Sequence, residues 1–352
     1  MNLLILGASY GSLLSTKLLM AGHSVTLVCL PEEAALINKD GAEVRLKLKV
    51  EDTHRSIHSK DLKGRLDAVV PGKVDLARYD MVGMAMQEPQ YAAPEVRDLL
   101  GKIAKADLPC LSIMNMPPLA YLRRIPALAS MNLDNCYRDA SVWAPFDPEN
   151  ITLCSPDPQA FRPPEEGLNV LHVGLPTNFK AARFAHQKHQ KILTQLGEDI
   201  AALTLDGHDV PVKLKVYDSL FVPMAKWSML LTGNYRCILD EGIRPIKEAV
   251  HTDKPASSQV YAFVDKLVQE LGADTTDAVP FEKYARAAES LLKPSSAARA
   301  IDAGATNIER VDRLVQTIGR ELGLQHPSID QTVKTVDKRL EQNLERVATE
   351  TA

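Results

Sequence analysis

The chain opens on a change of hydrophobic period. Leu3 to Leu6 is a short continuous apolar run, as expected of a strand buried on both faces. Gly7-Ala8-Ser9-Tyr10-Gly11 interrupts it, and Leu13, Leu14, Leu18 and Leu19 then recur at helical spacing. After Gly22-His23 a second apolar run covers Val25 to Val28. Strand, tight turn, helix and strand within about 30 residues form the opening unit of a dinucleotide-binding fold. Small residues in the turn let the backbone approach a pyrophosphate. The helix start offers that group free N–H donors and the positive end of the helix dipole.

The pattern continues in the same style. Pro31-Glu32-Glu33 reads as a helix start with acids in its first turn, and residues 43–50 alternate as a half-buried strand does. Residues 51–78 are polar, contain Pro71-Gly72, and read as loop with short strands. A buried strand is predicted over 80–86, a helix over 92–105 and a strand over 108–114. The stretch 115–179 is proline-rich and irregular, with strands at 151–153 and 170–173. A helix over 180–196 and a strand over 199–205 close this half. From about residue 210 helical periodicity dominates, over 213–231, 257–271, 280–292, 306–323 and 328–347. Alternating strands and helices followed by helices alone predict an α/β domain over 1–208 joined to an all-α domain over 209–352. The last helix is highly charged and is read as presenting a solvated face.

Composition narrows the class. A length of 352 residues with 45% hydrophobic content suits two globular domains. A net charge of −4 provides no basic field for nucleic acid or an anionic membrane. The five cysteines are odd in number and form no CxxC pair, which points to reduced thiols and a cytoplasmic setting. The N-terminal apolar run lacks the basic flank of a signal peptide, and no long uncharged apolar stretch suits a membrane span. The expectation is a soluble cytoplasmic protein acting on a small molecule, with neither nucleic acid nor membrane as partner. His186 and His189 stand three apart on a predicted helix, but no further ligand completes a site. They are read as exposed, and no metal is expected. Lys226 stands out because it interrupts the apolar run FVPMAKWSMLL.

Several segments, in order and spacing, resemble the ketopantoate reductase (2-dehydropantoate 2-reductase) superfamily, of which the chain looks like a divergent member. They are GHSVTLVC at 22–29, DMVGMAMQEPQ at 80–90, LSIMN at 111–115, MAKWSMLLTGN at 224–234 and PSSAARAIDAGATNIERVD at 294–312. The resemblance implies a Rossmann-like dinucleotide-binding domain followed by a helical domain of the 6-phosphogluconate dehydrogenase C-terminal-like type. It implies NADP or NAD as cofactor, hydride transfer to a 2-oxo acid or related carbonyl, and a homodimer built through the helical domain. Cofactor binding would fall to Gly7, Ala8, Ser9, Tyr10, Gly11, Gln87 and Asn115. Catalysis would fall to Lys226 and Asn234, and substrate binding to Ser295, Ser296 and Asn307. A carbonyl that accepts hydride becomes an alkoxide that must gain a proton, which a positioned lysine supplies. Asn234, eight residues on, is expected on the same helical face as Lys226.

The chain also departs from the family pattern. Its glycine loop is one residue shorter than GxGxxG: Gly7 keeps the tight turn, Gly11 keeps the helix–strand packing position, and the middle glycine is lost or replaced by Ser9. Leu30 stands where the family places an arginine for the NADP 2′-phosphate, and Glu32 and Glu33 follow. A carboxylate there favours the ribose hydroxyls of NAD, although acids at a helix start serve equally as first-turn residues. A family lysine is replaced by Gln87, an asparagine by Leu230, and the family carboxylate falls on Asn307 when one deletion is allowed, the preferred match, or on Ile308 without the gap. Ser295 or Ser296 either binds a substrate carboxylate or hydroxyl, or caps the helix after Pro294. These departures argue against ketopantoate itself as substrate. They leave two other readings open: an opine or 2-hydroxyacid type dehydrogenase, and a catalytically silent Rossmann-fold binding or scaffold protein.

Overall fold

The continuous apolar runs become the central strands. In the computed structural model, which describes residues 1–351, the chain divides into two compact units. The first comprises residues 1–86, 90–122 and 141–223; the second comprises 87–89, 123–140 and 224–352.

The first unit is built on β1 (Asn2–Leu6), α1 (Tyr10–Met20), β2 (Ser24–Val28), α2 (Pro31–Asp40), β3 (Glu43–Leu46), β4 (Arg55–His58), β5 (Leu66–Val69) and β6 (Met81–Met84). It continues with α3 (Pro94–Lys105), β7 (Cys110–Ile113), α4 (Leu119–Leu122), β8 (Ile151–Ser155), β9 (Gln159–Phe161), β10 (Val170–Leu175) and β11 (Phe179–Ala182). It ends with α5 (Gln187–Ala201), β12 (Thr204–Leu205), β13 (His208–Asp209) and β14 (Leu214–Tyr217). The main sheet runs β14-β11-β8-β7-β6-β1-β2-β5. Its six strands from β5 to β8 are all parallel and follow the doubly wound order, reversing direction of travel between β1 and β6. Leu4, Ile5, Leu6, Val25 and Leu27 have no exposure at all, which is why these strands read as unbroken apolar runs. A second sheet, β4-β3-β10-β9, joins the 43–58 segment to the proline-rich stretch. On α1, Lys17 is fully buried and donates to the Pro211 carbonyl; burial, then the Lys213 charge, lowers its pKa to about 7.

The second unit is helical: α6 (Lys226–Met229), α7 (Ile246–His251), α8 (Lys254–Glu270), α9 (Phe281–Ala288), α10 (Ser296–Asp302), α11 (Val311–Glu321) and α12 (Pro327–Thr351). On α8, Ser257, Val260, Tyr261, Val264, Leu267 and Val268 form the buried stripe, and Asp253 caps the start by accepting from Ala256 N–H at 2.9 Å. No helix among the described residues is long and apolar enough to cross a membrane.

Three expected elements differ. Residues 180–196 do not form one helix, because Phe179–Ala182 pairs with β8 and β14 as β11 and the helix starts only at Gln187. Sheet pairing overrides the helical preference of the two alanines. Similarly, 199–205 is the end of α5 followed by a two-residue strand. The helix expected over 213–231 is β14, then a turn, then α6, since Leu214–Tyr217 extends the main sheet parallel to β11. The position 208/209, expected as the domain boundary, consequently lies within the first unit, which runs to Pro223.

Candidate active site

In the sheet unit, the residues expected to hold a cofactor follow the carboxyl ends of β1 and β7. Gly7 has φ +99°, and a Cβ there would lie 2.7 Å from Met86 Cγ and 2.8 Å from the Ala85 carbonyl oxygen. The turns after β1 and β6 thus touch at the point where strand order reverses, which only glycine permits. Gly11 sits on Ile5, where a Cβ would come within 2.8 Å of Cγ2, so it is the close helix–strand contact. Ala8 is buried, and its carbonyl accepts from the Ser12 hydroxyl. Ser9 is exposed and precedes α1 without capping it through its side chain, so the helix start keeps donors for an anion. The Tyr10 hydroxyl donates to the Pro158 carbonyl at 2.5 Å. Asn115 is half-buried two residues beyond β7. This glycine turn fits a pyrophosphate: it has close backbone approach, an uncapped helix start and no carboxylate among residues 7–12.

At the end of β2 the two acids separate. Leu30 is 60% exposed. Glu33 accepts from Leu30 N–H at 3.1 Å and pairs with Arg162, with only 11% of its side chain exposed. It is a helix-start acid, with both oxygens engaged. Cys29, just after β2, has its thiol pushed up to about 12 by burial and then by the Glu33 charge. The other four cysteines are buried.

In the helical unit, Lys226 is the half-buried first residue of α6. The helix does not continue regularly. Leu230–Asn234 forms a π turn closed by Tyr235 N–H to the Leu230 carbonyl, and Tyr235–Cys237 tightens into a 3₁₀ turn. In a regular helix, eight residues overshoot two turns by about 80°. The wider turn reduces that excess and returns Asn234 toward the Lys226 side. Gly233 permits the bulge, because a Cβ there would strike the Tyr284 hydroxyl, which donates to the Met229 carbonyl at 3.1 Å.

Ser295 is buried, and its hydroxyl is occupied twice. It donates to the Asn234 carbonyl at 2.7 Å and accepts from Ala298 N–H at 3.1 Å, capping α10. The structure therefore joins Ser295 directly to Asn234 and makes it a support for the π turn. Ser296 and Asn307 are exposed, and Asn307 donates to the Thr306 hydroxyl at 3.0 Å. Gln87 is exposed and groups with this unit.

Two buried acids escaped the sequence reading. Glu88 accepts from Arg138 N–H at 3.0 and 3.3 Å, and its own N–H donates to Glu309 at 3.4 Å. Burial, only partly offset by the Arg138 N–H, raises its pKa to about 7, and the Glu309 charge adds to the rise. Tyr235 fixes Glu309 from the other side, its hydroxyl donating to the Glu309 carbonyl at 2.5 Å. Glu309, two residues beyond Asn307, is thus one of two buried carboxylates of this stretch, the other being Asp312. Ile308, which the ungapped match places opposite the family acid, stands immediately before Glu309. Glu88 gave no signal, since an isolated acid beside a proline reads as loop. His189, expected exposed, is buried against Phe184 with ring centroids 5.8 Å apart, while His186 pairs with Glu149 at 3.1 Å.

No family model matches the sequence, and no curated protein does. Solved structures do match over nearly the whole chain. A ketopantoate reductase from Ralstonia eutropha JMP134 is 16% identical, with a TM-score of 0.67 over 98% of this chain and 100% of that one. A 2-dehydropantoate 2-reductase from Methylococcus capsulatus is 12% identical, with a TM-score of 0.67 over 98% and 97%. D-mandelate dehydrogenase in a ternary structure with NADH and anilino(oxo)acetate is 16% identical, with a TM-score of 0.66 over 97% and 99%. At such identities the likeness is one of fold: this chain has the fold of the ketopantoate reductases and of D-mandelate dehydrogenase, a Rossmann-like parallel sheet followed by a helical region.

Proposed function

We propose that this chain is an NAD(P)H-dependent oxidoreductase that reduces the carbonyl of a 2-oxo acid or a related small molecule. The observation that carries the reading is the Gly7 turn at the reversal point of the sheet, pressed against Ala85 and Met86 and followed by an uncapped helix start. That is where a dinucleotide pyrophosphate binds in sheets of this order. The structural neighbours support the chemistry, one of them having been solved with NADH and an oxo acid derivative.

The nicotinamide supplies the hydride. Gly7, Ala8, Ser9, Tyr10 and Gly11 hold the pyrophosphate through the turn and the start of α1, and Asn115 and Gln87 hydrogen-bond the nicotinamide half. Lys226 donates the proton that the reduced oxygen requires and stabilises the charge before that transfer. Asn234 orients the carbonyl through its amide, and Ser295 acts through Asn234 by holding its backbone carbonyl. Ser296 and Asn307, both exposed, bind the distal polar groups of the substrate. The protein works as a soluble homodimer in the cytoplasm.

The test is a screen of 2-oxo acids with NADPH and NADH, following loss of the reduced nicotinamide absorbance. Turnover of one acid supports the reading. Binding of neither nucleotide to the folded protein favours the silent binding protein, for which the missing middle glycine is the observation.

A further inference from the structure

In the helical unit a tight turn gathers two arginines. Arg236 lies in the 3₁₀ turn Tyr235–Cys237, and Arg244 immediately precedes the residue that caps α7. Ile238 bridges Ile243 in antiparallel fashion, and Arg244 N–H donates to the Cys237 carbonyl at 2.9 Å. The chain thereby doubles back, and Arg244 Nε donates to the Arg236 carbonyl at 2.9 Å. The Arg236 side chain reaches the start of α8, where its Nη1 donates to the buried Ser257 hydroxyl at 2.7 Å and also to the Thr232 carbonyl at 3.3 Å.

The charges at this place do not balance. Among the described residues neither guanidinium forms an ion pair, whereas Arg45, Arg162 and Arg310 each do. The carboxylate that acts on Arg236 is Asp253, and it is engaged at the head of α8, accepting from Ala256 N–H at 2.9 Å. Burial, and after it the Arg244 charge, lowers the Arg236 pKa. Each guanidinium carries five N–H groups, of which Arg236 commits only Nη1 and Arg244 only Nε. Both residues are half-buried, which leaves an approach from solvent. Thr232 adds a buried hydroxyl that meets no partner among the described residues. Cations drawn partly out of water beside each other are costly unless an anion compensates them. Two planar forks with free donors suit the several oxygens and double charge of a phosphate.

We infer that Arg236 and Arg244 form a binding site for a phosphate dianion, free or as a monoester, at the head of α8. The two guanidinia share its oxygens, and its charge relieves their mutual repulsion. Ser257 and the Thr232 carbonyl hold Arg236 in position. Occupancy of this site does not require nucleotide binding by the glycine turn.

The test is calorimetric titration of the full-length protein with inorganic phosphate and, separately, with glycerol 3-phosphate, at an ionic strength held constant with chloride, in wild type, Arg244→Gln and Arg236→Lys. The wild type is expected to show saturable binding to one site. Arg244→Gln should bind about 10- to 100-fold more weakly. Arg236→Lys, which keeps the charge and loses the fork, should fall between the two. Thermal melts establish that each variant is folded. Tighter binding of glycerol 3-phosphate supports a site for an esterified ligand, and equal or tighter binding of inorganic phosphate supports one for the free ion. Absence of saturable binding of both to folded wild type overturns the inference. So does equal affinity in wild type and Arg244→Gln, because the phosphate is then held elsewhere, as at the glycine turn.

Discussion

The two units hold their candidate residues by different means. In the sheet unit the work is done by backbone and by the absence of side chains: Gly7 and Gly11 matter for the Cβ they lack. In the helical unit it is done by side chains on an irregular helix, where Lys226 and Asn234 owe their placement to a π turn, a buried tyrosine and a capping serine. The first kind of site tolerates sequence drift as long as a few small residues remain. The second depends on single side chains. Recognition of a cofactor and choice of a substrate are thereby free to diverge separately.

The largest expected effect separates the two kinds of residue. Lys226→Ala should lower turnover about 100-fold or more while nucleotide affinity stays as in wild type. Equal turnover in the variant would remove Lys226 from the reaction. Gly7→Val attacks the other unit, forcing a branched side chain into a positive-φ position against Met86 and Ala85. It should cost about 2–4 kcal/mol of stability and abolish nucleotide binding, as followed by thermal melts and titration.

Ser295→Ala is a smaller perturbation. Loss of the cap and of the bond to Asn234 should cost about 1–2 kcal/mol. Turnover should fall far less than in Lys226→Ala, with KM little changed, because Ser295 acts through the Asn234 backbone. A rise in KM alone would instead make it a direct substrate contact.

The smallest effect concerns pH. Glu88 has a folded-state pKa of about 7, above its ordinary value of 4.5. Between those two values the folded state holds the extra proton, so stability declines as pH rises from about 4.5 to about 7 and is level above that. Glu88→Gln should remove this slope and stabilise the protein by about 1–3 kcal/mol at pH 8, with little effect at pH 4. Denaturant melts at the two pH values check it, and an unchanged slope in the variant would place the titrating group elsewhere.

The sheet unit was largely legible because its signals are local. Residues 1–28 give strand, turn, helix and strand as read, and the glycine roles follow from spacing alone. The edge strand β5 and, in the second sheet, β4 and β9 were obscure because they are short and gain their structure from the strands they pair with, whereas β3 and β10 lie where strands were expected. β11 and β14 were misread for the same reason, since FKAA and LKVY carry no period that separates strand from helix. In the helical unit, Lys226 announced itself as a charge in an apolar run. The π turn, the double use of Ser295 and the burial of Glu88 are tertiary facts, set by Tyr284, Asn234 and Arg138 rather than by neighbours in sequence.

The proposed function requires that the short glycine turn still seats a dinucleotide. Titration of the folded wild-type protein with NADPH and NADH, following quenching of the buried Trp143 and Trp227 with Gly7→Val as control, tests it most directly. Saturable micromolar binding is expected in the wild type and none in the variant. Absence of binding of either nucleotide to folded wild type, or equal binding by both proteins, would contradict it.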